Sequence, residues 1–428
     1  MVTAAPPRRR TLGRSLLFMF AILGPGFVTA SAGNDVGGIY TYSIAGASFG
    51  YSLLWVLIPL AVALVVVQEM ATRMGTVTGK GLASLIRENF GVRVSFFAMI
   101  GLFAVNLVIT ASEFAGIATA SEIFHVSRYV AVPVAVVAVF LFILRFNNKI
   151  VERVFVVLSL IYLSYIVSAV LAGPNWHNVA AGTLAPKLDF KNSAYLVTIV
   201  GLIGTTISPY MQFFLQSAVV EKGTRVADLL LARIDVIAGS ILAIVLAGFM
   251  IIANGATLFV AQQHGAKFEL SGAADFAVAL RPLAGELAAT IFAFGILNAG
   301  LFTATVLPLS TSYVICEALG FEAAVDRKFK EAPVFFTLFG FGLFAGAALV
   351  LLPGIPLLKL IFYSQVIQGI LLPPELVLML IIVNKTSIMG KYTNSRTANI
   401  IGWATVVTIG SLAIGYTIQQ VFFSNVSL

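Results

Sequence analysis

Asp35 is the residue of this sequence whose chemistry most needs a reason. It lies in Gly24 to Gly38, GPGFVTASAGNDVGG, where an apolar segment meets three helix breakers and then a carboxylate before it has crossed a bilayer. A carboxylate at membrane depth costs roughly 2.5 to 3.5 kcal/mol even on lenient insertion scales, so such a group marks a functional site. Set among freed backbone groups, it has the chemistry to hold a metal cation. Glu69 and Glu113 also fall within apolar stretches, and Cys316 is the single cysteine. One thiol in an apolar segment builds neither a disulfide framework nor a thiolate metal site and reads as core filler.

The elements that must position Asp35 are membrane helices. Of 428 residues, 59% are hydrophobic and 10% charged, with 34 Phe and 37 Gly, which excludes a water-soluble domain of this size. The +8 balance is spread over many short loops rather than gathered in one patch. That pattern is a topology signal and implies no nucleic-acid partner.

Along the chain, Arg8, Arg9, Arg10 and Arg14 precede an apolar run from Leu16, and Ala30-Ser31-Ala32 mimics a signal-peptidase site. A Gly-Pro-Gly inside the run is a poor signal-peptide core, and a second apolar half, Ile39 to Gly50, follows at once. Two half-helices around an unwound centre fit better, because irregular backbone is tolerated at that depth where it lines a cavity. Further spans are expected at about 51–71, 95–121, 129–146, 151–172, 194–219, 231–256, 287–317, 334–353, 356–384 and 398–424. That makes eleven segments. A short amphipathic helix is expected over 76–94 and a polar outer connector over 186–192.

With the N-terminus in the cytoplasm, 20 Lys and Arg fall on the inner side. Arg128, Lys187, Lys191, Lys267 and Arg281 fall clearly outside, with Lys359 near the outer end of the tenth span. The expected topology of this cell-membrane protein, plasma or bacterial inner, is therefore N-terminus inside and C-terminus outside. His125, His177 and His264 then lie in outer loops.

The sixth segment, VTIVGLIGTTISPYMQFFLQSAVVEKG, is broken by Gly201, Gly204, Ser208 and Pro209 where a helix should continue. If segments one to five and six to ten form two halves, both breaks sit in the first helix of a half, as in inverted-repeat transporters. Freed carbonyls and half-helix C-termini bear partial negative charge and ligate cations. The plainer reading of the sixth break is a Gly/Pro kink that only shapes the bundle.

Several runs of the sequence resemble the Nramp family of divalent-metal transporters: GPGF eight positions before Asp35, AGASFGYSLLW, Gln68 with ATRMGTVTGKGLA after it, Glu113 in SEFAG, Ser208-Pro209, Ser364-Gln365-Val366 and MGKYTN at 389–394. The resemblance covers most of the chain in order. It implies an all-α, LeuT-like inverted repeat of five plus five helices and one more, with a metal ion held between broken helices one and six. Residues 1–428 are then a single transmembrane domain, with repeats at about 15–172 and 194–384 and an extra helix at about 398–424.

The departures from the family pattern are informative. The family signature Asp-Pro-Gly-Asn reads Asp35-Val36-Gly37-Gly38 here, so the ligand asparagine is replaced by Gly38, with Asn34 a neighbour that could compensate. The family's sixth-helix Met-Pro-His reads Ser208-Pro209-Tyr210, removing the thioether. A set of Asp35, Asn34, the Gly38 and Thr205 region, Ser208 and Gln365 is oxygen-rich and roomier. Carboxylate, hydroxyl, carbonyl and water suit Mg and Mn, and Mg²⁺ keeps several waters. The pattern resembles the Nramp-related magnesium branch, with Mn²⁺ also accepted.

The family's proton route uses the sixth-helix histidine, here Tyr210, and an aspartate three residues before the third-helix glutamate, here Thr110 before Glu113. Neither tyrosine, with an ordinary pKa near ~10, nor threonine relays protons near neutral pH, so uncoupled uptake is expected. The transported cation is the substrate, no cofactor is implied, and a monomer suffices.

Each residue also has a structural reading. Glu69 precedes Arg73 by four positions and reads first as an interfacial ion pair. Glu113 divides between permeation and a structural partnership, Gln365 between the ion's water shell and an interhelical hydrogen bond, and Thr205 and Thr206 could bond to their own helix. The alternatives are a proton-coupled Mn²⁺/Fe²⁺ transporter of the same family, an amino-acid or sodium-coupled carrier of the same architecture, and a cation channel. An intramembrane enzyme would need a nucleophile with a base, or HExxH, and neither pattern is present.

Overall fold

The computed structural model of the chain describes residues 32–145, 159–189, 191–266, 272–321 and 330–423. The opening half of the first segment, with GPGF, the N-terminal arginines and most of the signal-like site, lies outside the described residues. So does 151–158 of the expected fifth span.

Among the described residues every element is helical. In order the main helices are α1 Val36–Phe49, α2 Leu57–Thr78, α3 Leu82–Glu122, α4 Arg128–Arg145, α5 Leu163–Leu171, α6 Trp176–Leu184, α7 Ser193–Thr206, α8 Pro209–Glu221, α9 Leu229–Asn254, α10 Ala288–Leu319, α11 Pro333–Leu351, α12 Leu357–Val383 and α13 Arg396–Phe423. Among the described residues, eight stretches are long and apolar enough to cross a membrane, with shorter apolar helices at Arg128–Leu141 and Leu160–Leu171.

Three boundaries differ from expectation, each for a local reason. The half-helix after Asp35 begins at Val36, because the Asp35 side chain caps it by accepting from Gly38 N. The amphipathic stretch continues into the third span as α3, with its bend at Gly91, where φ of 81° requires glycine. The polar connector expected over 186–192 is preceded by an unexpected short helix, α6, capped by Asn175.

The sixth segment breaks as its residues dictate. Proline disfavours helical backbone in the residue before it, and Ser208 is extended at φ −75° and ψ 138°. Pro209 then opens α8 at a position where its missing N–H costs nothing. In the 18-residue apolar window of Ser193–Glu221, 89% of residues are buried, against 22% in that of Arg396–Tyr416. The broken segment is therefore the bundle's centre and α13 its periphery.

Lipid is as apolar as these side chains, so helix association relies on close backbone approach and polar ties. Small residues mark those approaches. A Cβ on Gly204 of α7 would collide with Gln365 O and Gly369 N of α12. One on Gly46 of α1 would strike Ile251 O of α9, and one on Gly116 of α3 would strike Val36. These three crossings hold α12, α9 and α3 around α1 and α7.

At one end of the bundle the basic residues form a linked network. Arg73 Nη1 donates to Tyr392 O at 2.7 Å and Thr393 O at 2.9 Å, and Nη2 donates to Asn394 Oδ1. Glu69 accepts from Arg73 at 3.0 Å and from Arg233 at 2.7 Å. The ion-pair reading of Glu69 holds, with Arg233 as an added partner. The MGKYTN stretch is thereby the chain segment that Arg73 clamps. Arg73→Ala leaves Glu69 partly unpaired and three acceptors without a donor, and breaking a buried pair costs about 3 to 5 kcal/mol. The expected result is a lower melting temperature of the detergent-solubilised protein than Lys391→Ala gives, since Lys391 is exposed.

Candidate metal site

The backbone around Asp35 explains where each donor points. A short 3₁₀ turn, Ala32–Asn34, runs into Asp35, which is extended at φ −66° and ψ −178° before α1 begins. One carboxylate oxygen, Oδ1, is held by Gly38 N, while Oδ2 has no hydrogen-bond partner. Asn34 is buried with neither side-chain atom paired. Thr205 Oγ1 and Thr41 Oγ1 are buried and unpaired as well. Buried polar groups normally find partners, so a cluster of unpaired ones facing two helix breaks calls for a ligand.

Gly38 is the centre of this cluster. A Cβ there would lie 2.5 Å from Gly33 O, 3.0 Å from Thr205 Oγ1 and 3.3 Å from Asp35 Oδ1. A backbone carbonyl, a hydroxyl and a carboxylate thus converge where a larger residue would have its side chain. Gly37 is equally constrained from the other side, because a Cβ on it would overlap the Gln365 amide. Gln365 receives Gln368 Nε2 on its Oε1 at 2.6 Å and donates to Ser364 Oγ at 3.2 Å. The α7–α12 crossing is what carries this side chain across to the break.

Glu113 reaches the same place from α3. Its Oε2 accepts from Val36 N at 3.2 Å and its Oε1 is unpaired. Two carboxyl groups therefore flank the first turn of α1, one on the Asp35 side and one on the Val36 N–H.

The remaining candidates fall less directly. Ser208 turns its hydroxyl back to Gly204 O at 2.9 Å and Thr205 O at 3.3 Å. Thr206, rather than bonding to its own helix, ties α7 to α1 through Tyr42 at 3.0 Å. Tyr210 is fully buried, with its carbonyl accepting from Ser310 at 3.4 Å. Thr110 donates to Asn106 O at 2.7 Å in its own helix and packs its methyl on Gly346 of α11, away from the break. Glu69 belongs to the Arg73 network described above. His125, His177 and His264 are all exposed.

Met211 escaped the sequence reading. Its Cε lies 3.2 Å from where a Gly33 Cβ would be, and its sulfur accepts from Gln68 Nε2 at 3.9 Å. A thioether therefore stands beside the break, three residues past Ser208, with its methyl toward Gly33 and its sulfur toward Gln68. No sequence signal marks it, because its approach to Gln68 of α2 is set by packing. Among the described residues no group of three or more His, Cys, Asp or Glu side chains forms a metal cluster.

Residues 26–419 match the family model described as natural resistance-associated macrophage protein-like, or Nramp. The chain belongs to the Nramp family of divalent-metal transporters. Its fold is shared with the manganese transporter of Eremococcus coleocola, crystallised with an aromatic bis-isothiourea substituted compound. That match has 23% identity and a TM-score of 0.75, over 99% of this chain and 92% of that one. MhsT in complex with L-phenylalanine matches at 14% identity and a TM-score of 0.58, over 92% and 97% of the two chains. The nucleobase-cation-symport-1 family transporter Mhp1 matches at 13% identity and 0.55, over 94% and 93%. At these identities the likeness is one of fold. This Nramp protein is accordingly a multi-pass membrane protein with the LeuT-like architecture that its sequence implied.

Proposed function

We propose that this Nramp protein mediates facilitated uptake of Mg²⁺, with Mn²⁺ also accepted, at a site between the Asp35 break and the Thr205–Ser208 break. The observation that carries this reading is the convergence of Gly33 O, Thr205 Oγ1 and Asp35 Oδ1 around Gly38. Those are hard donors, and they approach one another because Gly38 has no side chain to hold them apart. Mg²⁺ sheds its waters reluctantly and is bound through a few oxygens plus retained waters. Asn34, with both amide atoms unpaired, and Gln365, over Gly37, are the donors we assign to the ion or its water shell. The charge of a divalent ion matches that of Asp35 and Glu113 together.

Uptake without proton coupling follows from Tyr210 and Thr110 at the positions where the family carries histidine and aspartate. We place the Arg73 end of the bundle in the cytoplasm, since Arg73, Lys80, Arg87, Arg233 and Lys385 gather there. An inside-negative potential then drives a divalent ion inward by roughly 4.6 kcal/mol per 100 mV.

A second reading, proton-coupled Mn²⁺ transport, is favoured by Glu113, a carboxyl with an unpaired oxygen beside the site. Met211 likewise supports Mn²⁺ acceptance, because a thioether suits softer ions. Metal flux and internal pH recorded together in proteoliposomes separate the two. Under the proposal, excess Mg²⁺ suppresses Mn²⁺ entry and internal pH stays constant. Mn²⁺ entry blind to excess Mg²⁺ overturns the magnesium assignment, and acidification in step with entry overturns the uncoupled mechanism.

A further inference from the structure

Glu375 is a further intramembrane carboxylate besides Asp35 and Glu113, on α12, and the metal site has no use for it. It stands ten residues past Gln365, about 15 Å along the helix axis. The residue is 7% exposed and both carboxylate oxygens are buried without a hydrogen-bond partner. It lines a cavity of about 50 Å³ whose other walls include Ala98 and Leu102 of α3, Phe213 of α8, and Leu371 and Leu378 of its own helix. One water needs about 10 to 15 Å³ of such space, so the cavity has room for a few.

No charged group answers this carboxyl. The cavity walls carry no titratable side chain besides Glu375. On the elements packed against α12, Glu69 pairs with Arg73, Glu88 with Lys80, and Arg87 with Ala318 O. Glu113 accepts from Val36, Glu221 from Tyr313, and Lys385 donates to Asn89. Arg93, Glu122 and Arg396 are exposed.

A metal ion in this cavity would have one carboxyl and water for ligands, whereas Mg²⁺ or Ca²⁺ requires six or more oxygens. A proton requires only the carboxyl, and it removes the charge that burial penalises. The surroundings are also built to move. Pro373 and Pro374 have no N–H, so the carbonyls of Gly369 and Ile370 lose their helical donors just before Glu375. Pro374 is exposed, which brings the cavity to the surface of the bundle. Phe213 belongs to α8, four residues past the Pro209 that opens it.

We propose that Glu375 is a proton-binding site, separate from the metal site, which holds a proton in this conformation and releases it when α8 and the proline-weakened α12 shift apart. The proposal does not depend on which metal is carried. Infrared spectroscopy of the full chain in lipid tests it without any metal. Wild type is expected to show at neutral pH a protonated-carboxyl component that is missing from E375Q while any contribution of Asp35 and Glu113 stays, and uptake of Mn²⁺, still without net proton movement, is expected to lose its dependence on pH in that variant. An unchanged band in E375Q, or an unchanged pH profile of uptake, overturns it. Should E375Q fail to fold, wild type serves alone through dicyclohexylcarbodiimide: a protonated carboxyl in an apolar site adds across one of its C=N bonds, and the O-acylisourea formed rearranges to a stable N-acylurea. Peptide mapping that finds Glu375 labelled at neutral pH and spared at alkaline pH supports the site, and an unlabelled Glu375 at neutral pH removes it.

Discussion

Asp35→Asn is expected to reduce Mn²⁺ uptake into proteoliposomes by at least about a hundredfold while the protein still folds, because the transported ion loses a charged ligand, and truncating one partner of a buried charge pair costs about 2 to 5 kcal/mol of binding. Asp35 has two roles that this substitution separates. As N-cap it satisfies Gly38 N, and asparagine caps a helix about as well. As a ligand it offers the unpaired Oδ2 and a full negative charge, which asparagine lacks. Asp35→Ala removes both, so it should lose uptake and also about 1 kcal/mol of stability. Uptake by Asp35→Asn at the wild-type rate, with a melting temperature also unchanged, would show that the carboxylate has only a capping role.

Gly38→Asn restores the family's residue and is expected to abolish transport rather than widen it. The new Cβ would sit 2.5 Å from Gly33 O, a backbone atom fixed by the turn before Asp35. Relief requires a shift of the 3₁₀ turn or of Thr205, and overpacking of this kind costs about 1 to 3 kcal/mol before any ligand is lost. Gly38→Ala makes the same contact and should show most of the same loss, so the defect is the Cβ and not the amide. Gly415→Ala, where a Cβ meets nothing within 4 Å, is the control and should behave as wild type. A Gly38→Asn protein that takes up Mn²⁺ normally would mean that the turn is free to move and that the glycine has no part in shaping the site.

The close fit at Gly38 also accounts for a feature of the sequence that resemblance alone left unexplained. In this chain the turn Gly33-Asn34-Asp35 brings a carbonyl into the space of a side chain. The sequence shows the replacement of asparagine by glycine, and the packing shows what stands in its place. Asn34 follows the same logic, since its buried, unpaired amide lies one residue before the carboxylate.

The sequence by itself determined the membrane class, the break at Ser208-Pro209 and the irregular stretch that ends at Asp35. Each of those rests on local physics: the apolar content, the missing N–H of Pro209 with its effect on Ser208, and the capping chemistry of Asp35. The ion pair of Glu69 with Arg73 was legible for the same reason, because a spacing of four fixes it within one helix. Only the tertiary structure decided which side chains meet at the breaks. Gln365 stands over Gly37 because Gly204 and Gly369 let two backbones touch, and Glu113 reaches Val36 N because Gly116 admits that residue. Thr110 turned away and Met211 turned in. Rotation of a helix about its own axis is set by neighbours far along the chain, and in a bundle that is apolar on nearly every face no sequence period reveals it.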